Sequence, residues 1–208
     1  MAQLVPPHNS GELKALLLPE SQRAEACKRS ETLKKIRLDT RTVSDLLMLA
    51  MGAYTPLPGF MGHDDWRGSC LDMALSGGVF WPIPITLSAD RDLADSIQRE
   101  DDVALVDAER GETLAVMTVR EKYAIDKQVE AEHVYRTTDP KHPGVAKLFA
   151  QGEINLAGPV SVLSEGEYPA KYPNLYIRPA EARAMFAQRG WSAVAIATVS
   201  QLLDNTST

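Results

Sequence analysis

The spacing of apolar and polar positions divides the chain into short strands and helices. The segment Leu4 to Lys14 contains Pro6 and Pro7, then Asn9, Ser10 and Gly11. Two fixed φ angles and two missing amide donors make it an extended or turning arm, after which Leu16-Leu17-Leu18 offers an apolar contact to the body. Residues 20–35 are rich in helix formers with a weak apolar stripe, which predicts an exposed helix. Ile36 and Leu38 alternate with Arg37 and Asp39, the period of a strand with one wet face. From about Ser44, taken as N-cap, Leu46, Leu47, Leu49, Ala50 and Met51 form the apolar face of a helix ended by Gly52 or the turn after it.

The stretch Tyr54 to Gly62 has two prolines and two glycines yet carries Leu57, Phe60 and Met61. Three such side chains in one loop predict an ordered loop folded back onto the body. His63-Asp64-Asp65 is placed to cap a helix from Trp66 to Leu75, stopped by Gly77-Gly78. Residues 79–88, VFWPIPITLS, read as an edge strand, because Pro82 and Pro84 leave the same side without donors. A short helix or turn over 90–98 precedes a hairpin in which Val103 and Leu105, the turn 107–111, and Leu114 to Thr118 follow in order. Leu114 and Val116 share one face and Ala115 and Met117 the other, so this strand is expected to be covered on both sides, as in a barrel or sandwich.

Tyr123 to Tyr135 has Ile125, Val129 and Val134 at helical spacing, with Asp126 and Glu130 on the wetter face. Asp139 to Gly144 reads as a loop, Val145, Leu148 and Phe149 as a helix, and Ile154 to Leu163 as a strand interrupted by Gly158-Pro159. The pattern changes near Pro169, where residues 168–175 resemble a linker. Pro179 suits the first turn of a helix over 180–188, Arg189-Gly190 its end, and Trp191 to Thr198 a buried strand. Such a helix and strand are how an α/β domain begins, and a parallel strand needs neighbours on both sides.

Composition narrows the function classes. Hydrophobic residues make up 44% of the 208 residues and charged residues 24%, which excludes disorder throughout. The net charge of -6 gives no general attraction to a polyanion, and the basic group Lys34, Lys35 and Arg37 is diluted by Glu31 and Asp39. No apolar run is long enough to span a bilayer and the first residues carry no export signal, so cytoplasmic residence and no membrane partner are expected. Cys27 and Cys70 lie far apart without clustered histidines, which favours reduced thiols with packing roles.

The remaining chemical candidates are weak. His8, His133 and His142 read as local packing or loop residues, and His63 with Asp64 and Asp65 reads as a helix start before it reads as a metal site. Arg178, Arg183 and Arg189 bracket one helix and read as solvated or salt-bridged, with an anionic pocket as the alternative. There is no GxxxxGK[ST] phosphate loop, no GxGxxG fingerprint and no defensible triad. No catalytic, cofactor-binding or metal-ligating residue is assigned.

Taken in order and spacing, VPPHNSGELKALLL (5–18), GAYTPLPGFM (52–61), WPIPITLS (81–88) and DPKHPGV (139–145) resemble the amino-terminal half of ATP sulfurylases, the sulfate adenylyltransferases. IRPAEARAMFAQRGWSAVAIA (177–197) is similar to the helix and strand that open the family's catalytic domain, so the resemblance covers nearly all of residues 3–197. It implies a mixed, mainly β fold: a PUA-like β-barrel domain with peripheral helices over 1–168, then an incomplete α/β nucleotidyltransferase-like segment over 169–208. It also implies attack of sulfate on the α-phosphorus of ATP with magnesium, giving adenosine 5'-phosphosulfate and pyrophosphate.

The family's Gln-x-Arg-Asn-Pro-x-His is expected directly after the strand. Thr198 and Ser200 stand where its Gln and Arg belong, and no HxxH pair follows. Uncharged hydroxyls do not replace a guanidinium that pairs with two oxygens of a dianion. A frameshifted or truncated product is therefore the first expectation, with an isolated domain or a natural stand-alone paralogue as the other origins; the chain is expected to be inactive alone and without its own cofactor, with ATP and magnesium reserved for the complete enzyme. The alternative is a non-enzymatic partner or regulator that associates with intact sulfurylase subunits or with itself, and nucleic acid is not expected as a partner.

Overall fold

The computed structural model describes residues 4–9, 11–191 and 193–195. Seven strands form the sheet: β1 (Lys34–Leu38), β2 (Gly59–Phe60), β3 (Leu87–Ala89), β4 (Asp102–Asp107), β5 (Thr113–Thr118), β6 (Glu121–Ala124) and β7 (Ile154–Val162). The path runs β1-β4-β5-β7-β2, with β3 and β6 also on β7. Only β1 with β4 is parallel among these pairs. The sheet curls into a half-barrel and helices lie around it.

β7 organises the curl. Its first half, up to Ala157, pairs with β3 and β6, and its second half, from Gly158, pairs with β2 and β5. The change of partners occurs at Gly158, whose φ of 156° is rarely adopted by residues with a side chain. A Cβ there would lie 2.0 Å from the Thr118 carbonyl oxygen, and one on Gly59 would lie 2.1 Å from that of Gly158. Backbone passes directly over backbone, and neither position has room for a methyl group.

The helices are α1 (Glu20–Ser30), α2 (Thr40–Ala50), α3 (His63–Asp72), α4 (Arg91–Ser96), α5 (Lys127–Glu130), α6 (Pro143–Ala150), α7 (Tyr168–Lys171) and α8 (Pro179–Arg189), and α5 runs into a π turn, Ala131–Tyr135. Helices span more residues than strands, which corrects the mainly β expectation to a mixed α/β fold. The core forms where α2 lays Val43, Leu46, Leu49 and Ala50 on a sheet face built from Ile36, Leu38, Leu105, Leu114, Met117 and Leu156. Val103, Ala104, Leu105, Leu114, Ala115, Val116 and Met117 are all buried, so the hairpin is covered on both faces. The arm is held by backbone hydrogen bonds from Leu16 and Leu17 to the carbonyls of Leu49 and Ala50, and from Leu18 to Val162.

Several boundaries depart from the sequence reading. α2 starts four residues before Ser44, because the Asp39 carboxylate accepts from the Thr42 amide at 2.8 Å and caps the helix. α3 begins at His63 and ends at Met73 in the left-handed region (φ 52°), ahead of Gly77 and Gly78. Residues 79–86 form no ladder. Phe80 makes one isolated bridge to Ala74, and the prolines reduce the rest to single contacts such as Met61 N–H to the Ile85 carbonyl. Only Leu87 and Ser88 of that segment enter a strand.

The expected helix over 123–135 is a strand, β6, then a cap at Asp126, then α5 and the π turn. Tyr123 is drawn into the sheet because its ring is buried against β7. α6 starts at Pro143 with His142 as N-cap, so that two residues of the expected loop, Pro143 and Gly144, are helical. Residues 168–171 of the expected linker form α7. Pro179 and Gly190 do bracket α8, and Gly190 takes a φ of 64°. Trp191 and residues 193–195 belong to no strand, while 192 and 196–198 lie outside the described residues.

Candidate functional site

The four histidines separate into different surroundings. His8 places Nε2 2.8 Å from the Phe80 carbonyl oxygen beside the Trp81 ring, which ties the arm to residues 79–86. His63 stands edge-on to Tyr123, and its backbone N–H donates to the Glu121 carboxylate at 3.2 Å. Asp65 turns away from it and accepts from both the amide and the hydroxyl of Ser76. His142 Nδ1 accepts from the Gly144 amide at 3.2 Å, and His133 stands exposed on the π turn. Among the described residues no three His, Cys, Asp or Glu gather as a metal site.

The arginines and thiols also divide. Arg178 Nε donates to Glu165 at 2.9 Å, and Tyr176 Oη donates to the same carboxylate at 3.1 Å. Arg189 lies over the Trp191 ring at 4.8 Å. Lys34 donates to the Ser96 carbonyl, while Lys35 and Arg37 line a shallow depression beside β3. Cys27 is exposed; Cys70 is buried, and burial together with nearby Glu130 pushes its thiol up to about 12, which leaves it an inert packing group.

A buried polar network was not foreseen. Glu130, read from sequence as facing water, is 4% exposed, and its carboxylate accepts from the Trp66 indole N–H at 2.7 Å. Burial raises its pKa, the Trp66 bond opposing the shift and the charge of Arg41 opposing it further. Beside it Tyr123 donates to the Met61 carbonyl at 3.0 Å and accepts from Asn155 Nδ2 at 3.2 Å. Helical periodicity placed Glu130 outward because it counted Tyr123 and Ile125 in the same helix, whereas residues 121–124 are strand and α5 begins only at Lys127. The only local signal was Trp66, whose N–H needs a buried acceptor.

Two surfaces remain as candidates. The first is a cleft of about 620 Å³ between α2, the end of α3, residues 82–83, the π turn and α6. It is lined by Arg41, His133, Arg136 and Lys147 beside apolar groups, and no Asp or Glu occurs among the described residues that line it. An adjoining apolar hollow, about 290 Å³, holds His8, Tyr54, Phe80 and Trp81 and shares Pro82 and Ile83 with the cleft. The second surface is residues 172–191 with 193 and 194. None of the residues of α8 is buried, and Tyr172, Leu175, Ile177, Trp191 and Val194 are exposed, Leu175 to 80%.

A family model described as a PUA-like domain matches residues 5–165. A sulfate adenylyltransferase of Syntrophobacter fumaroxidans is 52% identical over 197 residues, which are 94% of this chain and 48% of that protein. One of Psychrobacter cryohalolentis is 50% identical over 198 residues, 93% of this chain and 47% of the relative. The chain thus spans about half the length of the curated relatives it matches. Among solved structures, the hexameric APS kinase from Thiobacillus denitrificans superposes with a TM-score of 0.68 at 31% identity, covering 90% of this chain and 32% of that one. With a curled half-barrel sheet under the matched region and homology that continues past it, the chain belongs to the PUA-like domain family and is homologous to about half of a sulfate adenylyltransferase.

Proposed function

We propose that this chain is the PUA-like portion of a sulfate adenylyltransferase, a scaffold that positions an α/β catalytic part and does not perform adenylyl transfer by itself. The observation that carries the reading is identity of 46 to 52% to sulfate adenylyltransferases over more than nine-tenths of the chain. The boundary falls near residue 168, where β7 and its following turn give way to α7 and α8. α8 has no buried residue and the segments beside it expose apolar side chains, the condition of a helix whose packing partner lies outside the described residues. No helix among the described residues is long and apolar enough to cross a membrane.

The chemistry supports the division of labour. Transfer of the adenylyl group from ATP to sulfate brings two anions together and develops further charge on phosphate oxygens, so fixed cations and N–H donors must surround the reacting atoms. The 208 residues contain no Gln-x-Arg-Asn-Pro-x-His, and Thr198 and Ser200 supply hydroxyls where that motif has Gln and Arg. ATP and magnesium accordingly belong with the complete enzyme. The exposed apolar residues Tyr172, Leu175, Ile177, Trp191 and Val194 also support association with intact sulfurylase subunits as a second reading.

The purified 208-residue protein is expected to release no sulfate-dependent pyrophosphate above background. Turnover at the rate of an intact family enzyme would defeat the scaffold reading. A defined complex with an intact sulfurylase in a sedimentation titration, without turnover by the chain alone, would favour the second reading.

A further inference from the structure

The cleft beside α6 is unusual for an acidic protein. The chain carries a net charge of -6, yet the cleft draws Arg41 from α2, His133 and Arg136 from the π turn and its end, and Lys147 from α6, with no carboxylate among its described lining. Arg136 and Lys147 are exposed and have no ion-pair partner among the described residues. Arg41 faces Asp45 and the buried Glu130, so its charge is partly offset from beneath. Like charges that converge on a concave surface repel one another, and low-dielectric walls strengthen the field they share. An anion entering the cleft would relieve that repulsion.

The backbone is set to hold this arrangement. Arg136 takes a φ of 58°, a conformation that costs a non-glycine residue energy, directly after the π turn that carries His133. The Tyr135 ring packs on Gly144, where a Cβ would come within 2.4 Å of the ring, so the π turn is docked on the first turn of α6. The opposite wall is apolar, with Met73 exposed to 47% and Ile83 to 53%. At about 620 Å³ the space lies in the range of small-molecule sites, which combine apolar walls with a few fixed polar groups.

We propose that this cleft binds a small organic phosphate or sulfate ester, its oxyanion held by Arg136, Lys147 and Arg41 and its apolar body resting on Met73, Ile83 and Tyr135. Guanidinium forks match the geometry of tetrahedral oxyanions, and an ammonium adds a point charge. The apolar wall distinguishes an ester from the free inorganic ion. This site does not depend on the scaffold reading, since every group that forms it lies within residues 41–147.

Calorimetric titration of the 208-residue protein with 4-nitrophenyl phosphate, 4-nitrophenyl sulfate, inorganic phosphate and 4-nitrophenol tests the proposal. Saturable one-site binding of an ester is expected, about tenfold tighter than inorganic phosphate or 4-nitrophenol, and the phosphate ester should lead because its second charge finds a second cation. Arg136→Ala and Lys147→Ala should each weaken ester binding by about tenfold, with thermal unfolding unchanged because both side chains are exposed. A lead for the sulfate ester would still support the site and assign it to sulfate esters. No ester binding at millimolar concentration, binding no tighter than inorganic phosphate, or binding indifferent to both substitutions would overturn it.

Discussion

At the scale of single residues, Glu130 shows how burial changes the behaviour of one carboxyl. Its carboxyl is buried against Trp66 with its pKa raised from 4.5. The folded state therefore binds a proton that the unfolded state has already released, and stability falls as pH rises from the ordinary carboxylate range through the folded pKa. Glu130→Gln removes this titration while an amide oxygen still accepts from Trp66. Urea unfolding should show the wild type losing stability relative to Glu130→Gln as pH rises from the ordinary carboxylate range to well above it. Glu130→Ala should cost about 1–3 kcal/mol at either pH, because the indole N–H is left buried without an acceptor. A wild type and Glu130→Gln with parallel pH profiles would show that this carboxyl titrates normally. None of this was legible in the residue itself, since a glutamate among Gln128, Glu132 and His133 looks like the wet side of a helix.

At the scale of elements, close backbone approach explains both what could be read and what could not. The hairpin β4–β5 and the helix α2 follow from periodicity alone, because their apolar residues face the core they create. β2, two residues long, has no period, and its place is set by Gly59 lying against Gly158. Gly59→Ala should lower stability by about 3 kcal/mol, at the upper end of the cost of overpacking, since the obstacle is a carbonyl oxygen and not a movable side chain. Chemical denaturation measures the loss, and a change below about 1 kcal/mol would mean that the two strands separate easily. Residues 79–86 failed as a strand for a related reason: alternation of Trp81, Ile83 and Ile85 gives the period, but Pro82 and Pro84 remove the donors that a ladder requires. The cationic cleft was hidden at this scale too, because Arg41, Arg136 and Lys147 come from three separate elements and none stands out in its own segment.

At the scale of the whole molecule, the half-barrel and the segment after it differ in how they are held. The described part of α8 is tied to the barrel through the pairing of Arg178 and Tyr176 with Glu165, which is 7% exposed, while α8 buries no residue of its own. Arg178→Ala should speed amide exchange across α8 and leave that of β4, β5 and β7 unchanged. Exchange across α8 as slow in Arg178→Ala as in the wild type would show that other contacts hold the helix. The barrel depends on a different arrangement, in which β7 receives β2, β3, β5 and β6 and also the arm at Leu17. Every one of those partners precedes it in the chain. During synthesis on the ribosome, each emerging strand must therefore wait with its edge unsatisfied until residues 154–162 clear the exit tunnel, so nascent chains stalled before that point would be clients for chaperones and the sheet would close in a single late event.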